Sequence, residues 1–386
     1  MRALLCLLVV ALGTAAPALA EDERPSGPVG LRTQGTLREL FLDVTLFDAR
    51  ALDRPLLDVR WAMANTWNEP MSVARGAARM NQLLDEEADS LTLQARAPWS
   101  WLLDLPVRLP GSERPLGARL STAVEARVMY HWGGWSDRPI EAWHALTGAF
   151  NYQREKFPRN ELFLDQEDTG GRLFLITHPT LAFGDLVLRN AALLAEGSPG
   201  AHGLASWGLS LRLDLKLPTG SLARASGSGG FDQGLALQGT AQLADSLTLH
   251  GQLGLSHLGP VAADTRVRNS DWLRFLELSL EWDAGPFTAL LEDRLVSAIM
   301  DDQDTGPGSV SWQRQNFGGN DGYLSSGMYA TFRAHNQFSF AARWWRLTLW
   351  LSEDFTPGSN VHATIPWEYE SNAPDVVIGL GYSQKM

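Results

Sequence analysis

The residues of this chain that carry chemistry sit on one side of period-two segments. In LSLRLDLKL, Leu209, Leu211, Leu213, Leu215 and Leu217 alternate with Ser210, Arg212, Asp214 and Lys216. A β-strand sends alternate side chains to opposite faces, so this segment is an apolar wall backed by a charged one. If the leucines meet lipid, Arg212, Asp214 and Lys216 line a lumen. The same alternation adds His250, then Glu277 and Glu281, then Glu292 and Arg294. A charge facing hydrocarbon costs about 2–4 kcal/mol for Arg or Lys at mid-depth, so the fold itself requires these groups to point inward. Two chemistries follow. One is a constriction that selects solutes by sign and hydrogen bonding. The other is a ladder of cross-strand ion pairs that fills the barrel and conducts nothing.

Other constellations compete with these. Ser256-His257, His250, and His144 with Glu141 are the residues from which a nucleophile and base would have to come. Neighbours on a strand point to opposite faces, which separates Ser256 from His257, and the G-x-S-x-G elbow is missing. The chain therefore reads as a non-enzyme, and no cofactor is expected. Asp301, Asp302 and Asp304 in DDQDTGPG supply oxygens at a spacing Ca²⁺ accepts, but without the twelve-residue loop and closing glutamate. A solvated acidic loop is the simpler reading, so no metal is expected. The stretch from Gly133 to Asn160 holds Trp135, Asp137, Glu141, Trp143, His144 and Arg154. Asp137 is placed to cap a short amphipathic helix, with Ile140, Trp143 and Thr147 on one face and His144 beside them. This helix lies in an insert spanning about 110–179, which either plugs the pore or caps it from outside.

The elements that must position these groups are short strands. Segments at 37–46, 56–67, 71–83, 90–97 and 99–109 come first. After the insert, nine more are expected at 180–195, 203–217, 233–243, 246–257, 271–283, 286–298, 323–334, 338–352 and 375–383. The later connections alternate short and long, as in an outer-membrane barrel. The sum is an antiparallel transmembrane β-barrel of fourteen strands, with twelve as the next count. Recurrent tryptophans at strand ends fit interfacial belts.

Met1-Arg2, the apolar run Ala3–Leu12 and Ala18-Leu19-Ala20 read as a cleaved secretory signal over 1–20. The sole cysteine, Cys6, lies within it. Residues 21–36, rich in Pro and Gly, read as a loose periplasmic arm, and 37–386 as the barrel. No later run approaches the length of a helical membrane span. The net charge of −12 excludes a nucleic-acid partner. A soluble secreted β-protein is the rival fold.

A resemblance adds to this. THPTLAFGDLVLRNAALL, LRLDLKLPTG, GSGGFDQG and LTLHGQLGLSHL occur in the order found in bacterial outer-membrane barrels related to the phenol-degradation meta-pathway family. GPVGLRTQG, GGWSDRPIEAWHALTG with REKFPRN, WLSED and APDVVIGLGY make the chain resemble more closely a relative known only as a domain of unknown function. Ala182 replaces a usual glycine, and Arg189 stands where relatives often carry lysine. The resemblance implies a barrel in the outer membrane of a Gram-negative-type bacterium. It also implies a channel, since a transport role is presumed for the phenol-pathway family. Tyr382 resembles the terminal aromatic read by the barrel-assembly machinery, with SQKM trailing it. The partners expected are outer-membrane lipid and lipopolysaccharide, that machinery, and a small solute, with hydrophobic solutes among the candidates. The function expected is passage of that solute. A non-conducting structural or surface-interaction barrel is the alternative, and a lipid-modifying enzyme comes after it.

Overall fold

A computed structural model describes residues 26–32, 34–36, 38–50, 54–68, 81–105, 116–147, 158–168, 171–197, 206–261, 271–297, 335–354 and 376–386. Its strands are β1 (Leu56–Asn68), β2 (Asn81–Leu105), β3 (Leu116–Trp132), β4 (Phe163–Asp168), β5 (Gly171–Ile176), β6 (Thr180–Phe183), β7 (Leu186–Gly197) and β8 (Ser206–Leu217). They continue as β9 (Asp232–Ala244), β10 (Leu247–His257), β11 (Trp272–Ala284), β12 (Phe287–Val296), β13 (His335–Trp344), β14 (Leu347–Asp354) and β15 (Val376–Lys385). Among the described residues one α-helix, α1, spans Asp137–Thr147. Among the described residues no helix is long and apolar enough to cross a membrane, a fact that says nothing against crossing by strands.

Twelve strands form a closed antiparallel ring: β1, β2, β3, then β7 through β15 in order, with β15 returning to β1 from Leu56↔Lys385 to Asn65↔Val376. Closure leaves the twelve-strand ring without a free edge, which is what allows a sheet to sit in hydrocarbon. The alternation read in β8 is realised. Leu211 and Leu213 are 39% and 45% exposed, while Ser210, Arg212, Asp214 and Lys216 between them are buried. The outer face carries further bare apolar groups, including Leu253, Leu278, Phe340 and Leu349. A contiguous apolar surface of this kind is matched to lipid and not to water. Trp282, Phe287, Trp344 and Trp345 gather on the outside where the turns are short, with Trp344 and Trp345 stacked at 4.9 Å. These are positions for an interfacial belt.

Several expectations are corrected. The ring has twelve strands, the second of the two figures, because 37–46 supplies none, the described parts of segments 71–83, 90–97 and 99–109 all fall on one long strand, β2, and β3 is added. The region after residue 110 is not wholly an insert, since β3 is a full barrel stave. The insert proper begins after Trp132. It carries α1 and the β4–β5 hairpin, which extends the far end of β2. The segment 338–352 is a hairpin and not one strand. Trp345 turns the chain there with φ 55°, between β13 and β14. The expected strand at 323–334, all but the last three residues of the one at 71–83, and the signal peptide lie outside the described residues.

The largest difference concerns the N-terminus. The described part of the expected strand 37–46, residues 38–46, forms no strand; Arg38–Leu40 make a single 3₁₀ turn and the rest is irregular chain. The described part of the 21–36 arm, from Ser26, lies inside the barrel with it, and nearly every described residue from Gly27 to Ala49 is buried.

Candidate functional site

The site is the lumen and the N-terminal segment that fills it. The chain rises from the short-turn end. There Gly27 N donates to Glu281 Oε2 at 2.8 Å, and Arg343 Nη2 donates to Gly27 O at 2.7 Å. Higher up, Val29 N donates to Glu292, Arg60 donates to Gly30 O, Arg32 pairs with Glu125, and Ser90 donates to Gln34. Arg38 reaches Ser297 O just beyond β12, at the end of the barrel where the loops are long. The chain turns over the 3₁₀ segment and descends. Leu46 N donates to Glu277, Ala49 N to Thr240, and the Arg50 guanidinium to Ser206 at the foot of β8. The segment thus passes through the barrel twice.

Its backbone is satisfied by side chains and not by a β-ladder, which explains why a strand-like sequence forms no strand. Buried backbone groups must be paired. Here Leu42 N, Leu46 N and Ala49 N donate to Asp232, Glu277 and Thr240. The carbonyls of Leu40, Asp43, Val44 and Thr45 accept from Lys216, Arg189, Gln252 and Arg212. Charge completes the fit. Arg294 grips the Asp43 carboxylate with both terminal nitrogens, Nη1 to Oδ2 at 3.0 Å and Nη2 to Oδ1, while its Nε donates to Glu277 at 2.5 Å. Such a forked pair fixes orientation as well as contributing energy. Phe47 lies under the Arg212 guanidinium at 4.9 Å, and Phe41 under the Lys216 ammonium at 5.7 Å.

All eight lumen residues picked from the alternation are inside, and all eight contact the N-terminal segment or a group that does. Arg212, Lys216, Glu277, Glu281, Glu292 and Arg294 bond it directly. Asp214 accepts from Arg189, which in turn holds Asp43 O. His250 joins Thr240 at 3.0 Å and Glu281 at 2.9 Å, the two groups that hold Ala49 and Gly27. Sequence reasoning missed Asp43, Arg189, Asp232 and Asp185. Lys216 Nζ sits 3.0 Å from Asp185 and 3.1 Å from Asp232, and also donates to Ser228. These residues come from FGD, DLKLPTG, GSGG and FDQG, so the motifs form one buried clasp around Leu40 and Leu42.

At the long-loop end the turning point is roofed. Leu40, Phe41, Leu42 and Val44 pack in one apolar cluster with Leu164, Leu173, Phe174 and Ile176 of the insert, and with Phe275 and Val296 of the wall. The insert therefore covers the barrel, and the segment inside the lumen is the N-terminal one. Asp137 is the first residue of α1 and not its cap. It accepts from Asn65 at 3.2 Å and from Asn160 N at 2.6 Å. The buried face of α1 is Asp137, Ile140 and His144. Trp143 and Trp135 turn outward, with Trp143 Nε1 donating to Glu353. Glu141 pairs with Arg159. Glu87 receives the N–H groups of Trp135 and Ser136. Gly134, at φ +66°, leaves room for that carboxylate, whose Cδ would lie 1.7 Å from any Cβ. Arg154, Asp301, Asp302 and Asp304 lie outside the described residues.

A closed antiparallel ring, apolar outside and charged inside, defines a membrane-spanning β-barrel. The chain belongs to the family described as a protein of unknown function, DUF3187, whose model matches residues 111–313. No curated protein matches it in sequence. Among solved structures it is similar to the COG4313 outer membrane channel of Pseudomonas putida F1, with 10% identity over 89% of this chain and 100% of that one, at a TM-score of 0.48. It is also similar to a Pseudomonas aeruginosa FadL homologue, with 8% identity over 88% and 93% and a TM-score of 0.35. Salmonella typhi OmpF gives 9% over 86% and 97%, with a TM-score of 0.29.

Proposed function

We propose that the protein is an outer-membrane channel or facilitator for a small solute, held closed by its own N-terminal segment. The observation that carries this reading is the nature of the filling. The lumen is occupied by a stretch of chain that belongs to no strand, held by ion pairs and hydrogen bonds from the wall. A polar bore of this kind, emptied of its segment, is lined by Arg212, Asp214, Lys216, His250, Glu277, Glu281, Glu292 and Arg294. It would discriminate by charge and hydrogen bonding. A hydrophobic cargo and kinship with the phenol-degradation barrels belong to the same proposal, the latter on motif order. We assign no catalytic role. Lipid, lipopolysaccharide and the barrel-assembly machinery, through β15, are the partners this reading requires.

The test is single-channel conductance in planar bilayers of the refolded protein, intact and with residues 26–50 deleted. Small or absent steps in the intact protein and large steady steps after deletion are expected. Silence in both, with heat-modifiable gel migration demonstrating a folded barrel, would leave a structural barrel as the function.

A further inference from the structure

The β4–β5 part of the insert roofs the turning point, but α1 stands elsewhere. The groups of the wall that hold α1 all point out of the ring. On β1, Ala62 and Ala64 share an apolar cluster with Val29 and Leu31 of the N-terminal segment, so they face the lumen and Asn65 faces outward. The ladder sets Asn65 level with Glu87 of β2 and with Val376 of β15, and Val376 level with Glu353 of β14. Glu87, Asn65 and Glu353 therefore lie in one outward row across four adjacent strands. α1 runs along that row. Glu87 accepts from Trp135 N and Ser136 N at the start of the helix, and Asn65 donates to Asp137 Oδ1 at 3.2 Å. Farther on, Trp143 Nε1 donates to Glu353 Oε2 at 2.8 Å. From Ser136 to Trp143 the helix advances roughly 10 Å, against three strand spacings of about 4.8 Å from β2 to β14. The Trp143 indole covers the difference.

The two faces of α1 are reversed from those of a helix on a watery surface. Toward the wall it turns Asp137, Ile140 and His144, all buried. Away from the wall it turns Pro139, Ala142, Trp143 and Leu146, an apolar stripe at i, i+3, i+4 and i+7. Leu146 is 80% exposed, and Trp135, one turn ahead of the stripe, is 55% exposed. In water, polar residues occupy the outer face of a helix. The level of the row explains the reversal. Nearer the short-turn end by two residues, roughly 6–7 Å, the next outward pair is Leu351 and Ile378, both exposed members of the lipid-facing wall. On the same outer face of β3, Tyr130 stacks with Trp132, which is level with Glu87. Aromatic side chains of that kind mark the membrane boundary.

We infer that α1 is an interfacial helix. It lies in the membrane plane, with Pro139, Ala142, Trp143 and Leu146 among the headgroup ends of the acyl chains in the leaflet on the long-loop side. Its apolar stripe continues the lipid-facing surface of the wall at the level where hydrocarbon gives way to headgroups. Helices of this type attach by burying one apolar face about 5–10 Å into that boundary. The polar row on the wall fits the same placement. Glu87 faces outward and is fully buried, and its carboxylate needs donors that lipid does not supply. The N–H groups at the start of α1 supply them. This contact is outside the ring, so it stands whether or not the lumen conducts.

A fluorescent label on residue 146 tests it, in the full chain folded into phosphatidylcholine vesicles. Cys6 is the sole cysteine, so L146C in a C6S background takes an environment-sensitive label at one place. Leu146 is exposed, and the labelled variant should keep heat-modifiable migration. A142C, on the same stripe, is the second variant. Labels at Leu213, on the lipid-facing wall, and at Ala223, exposed on the 218–231 loop, give the two reference environments. The labels at 146 and 142 are expected to emit to the blue of the label at 223. They should also be quenched more strongly by a nitroxide near the headgroup end of the lipid chain than by one near its terminus. Water-like emission without quenching at either position would overturn the lipid contact. Blue emission that no lipid nitroxide quenches would sink it as well, because a second copy or another protein would then be the cover. Stronger quenching from the chain terminus would refute the in-plane placement.

Discussion

Arg294 is the residue on which the closed state turns. Its guanidinium spans the N-terminal segment and the wall, binding Asp43 through two nitrogens and Glu277 through the third. Removing one member of a buried charge network leaves the others unpaired in a poorly solvated place, at a cost of about 3–5 kcal/mol. The variant R294Q is expected to weaken the hold on the segment by that order while the barrel stays closed. Trypsin cleavage after Arg32 or Arg38 in folded protein reads this directly, and resistance equal to wild type would refute it. Adding D43N should restore part of the loss, because the orphaned carboxylate is then neutral. The residues that sequence reasoning overlooked are of the same kind. Asp185 and Asp232 stand beside a turn or loop, where an aspartate carries no period to mark it, and Asp43 sits in an alternation that reads as a stave of the wall.

Individual elements obey two different rules. A barrel strand must present an apolar face to lipid, and β8 does so with Leu211 and Leu213 while Arg212 and Asp214 stay inside. Replacing Leu213 by Arg should therefore cost about 2–4 kcal/mol in lipid, measured as urea-induced unfolding from liposomes. A null effect would mean this face does not meet hydrocarbon. The segment 37–46 follows the other rule. Leu40, Leu42, Val44 and Leu46 alternate as a strand would, yet these residues stand inside the ring, with Leu40, Leu42 and Val44 in the cluster at the turning point. Local alternation does not distinguish a stave from a cord threaded through the staves. The same limit explains β3, where Ser121, Ala123, Glu125 and Arg127 point inward and a polar lining masks the pattern. It also explains the hairpin at Trp345, whose sequence contains none of the glycine or asparagine that usually marks a turn.

The molecule as a whole consists of a covalently continuous wall and a filling joined to it through side chains. The wall is a closed ladder of backbone hydrogen bonds, and the filling has no ladder of its own. Cooperative units held by fewer backbone bonds open at lower free energy. Urea is therefore expected to release the N-terminal segment before it opens the barrel. Two transitions should be seen, one by protease accessibility of residues 26–50 and a later one by loss of heat-modifiable migration. A single coincident transition would show that wall and filling are one cooperative unit and would count against a gate that moves on its own.

The amino-acid sequence by itself determined the class of fold. Strand alternation sorts each residue to lipid or lumen, because charge in hydrocarbon is too costly to tolerate, and the even run of short and long connections follows from the staves alone. It also determined the set of inward charges, from Arg212 to Arg294, since that set depends only on the period of the strand. The tertiary structure decided what those charges hold. Gly27 meets Glu281 and Asp43 meets Arg294 across more than 250 positions in the chain. No local period records such a meeting, because the segment passes inside a ring that exists only once β15 has closed on β1.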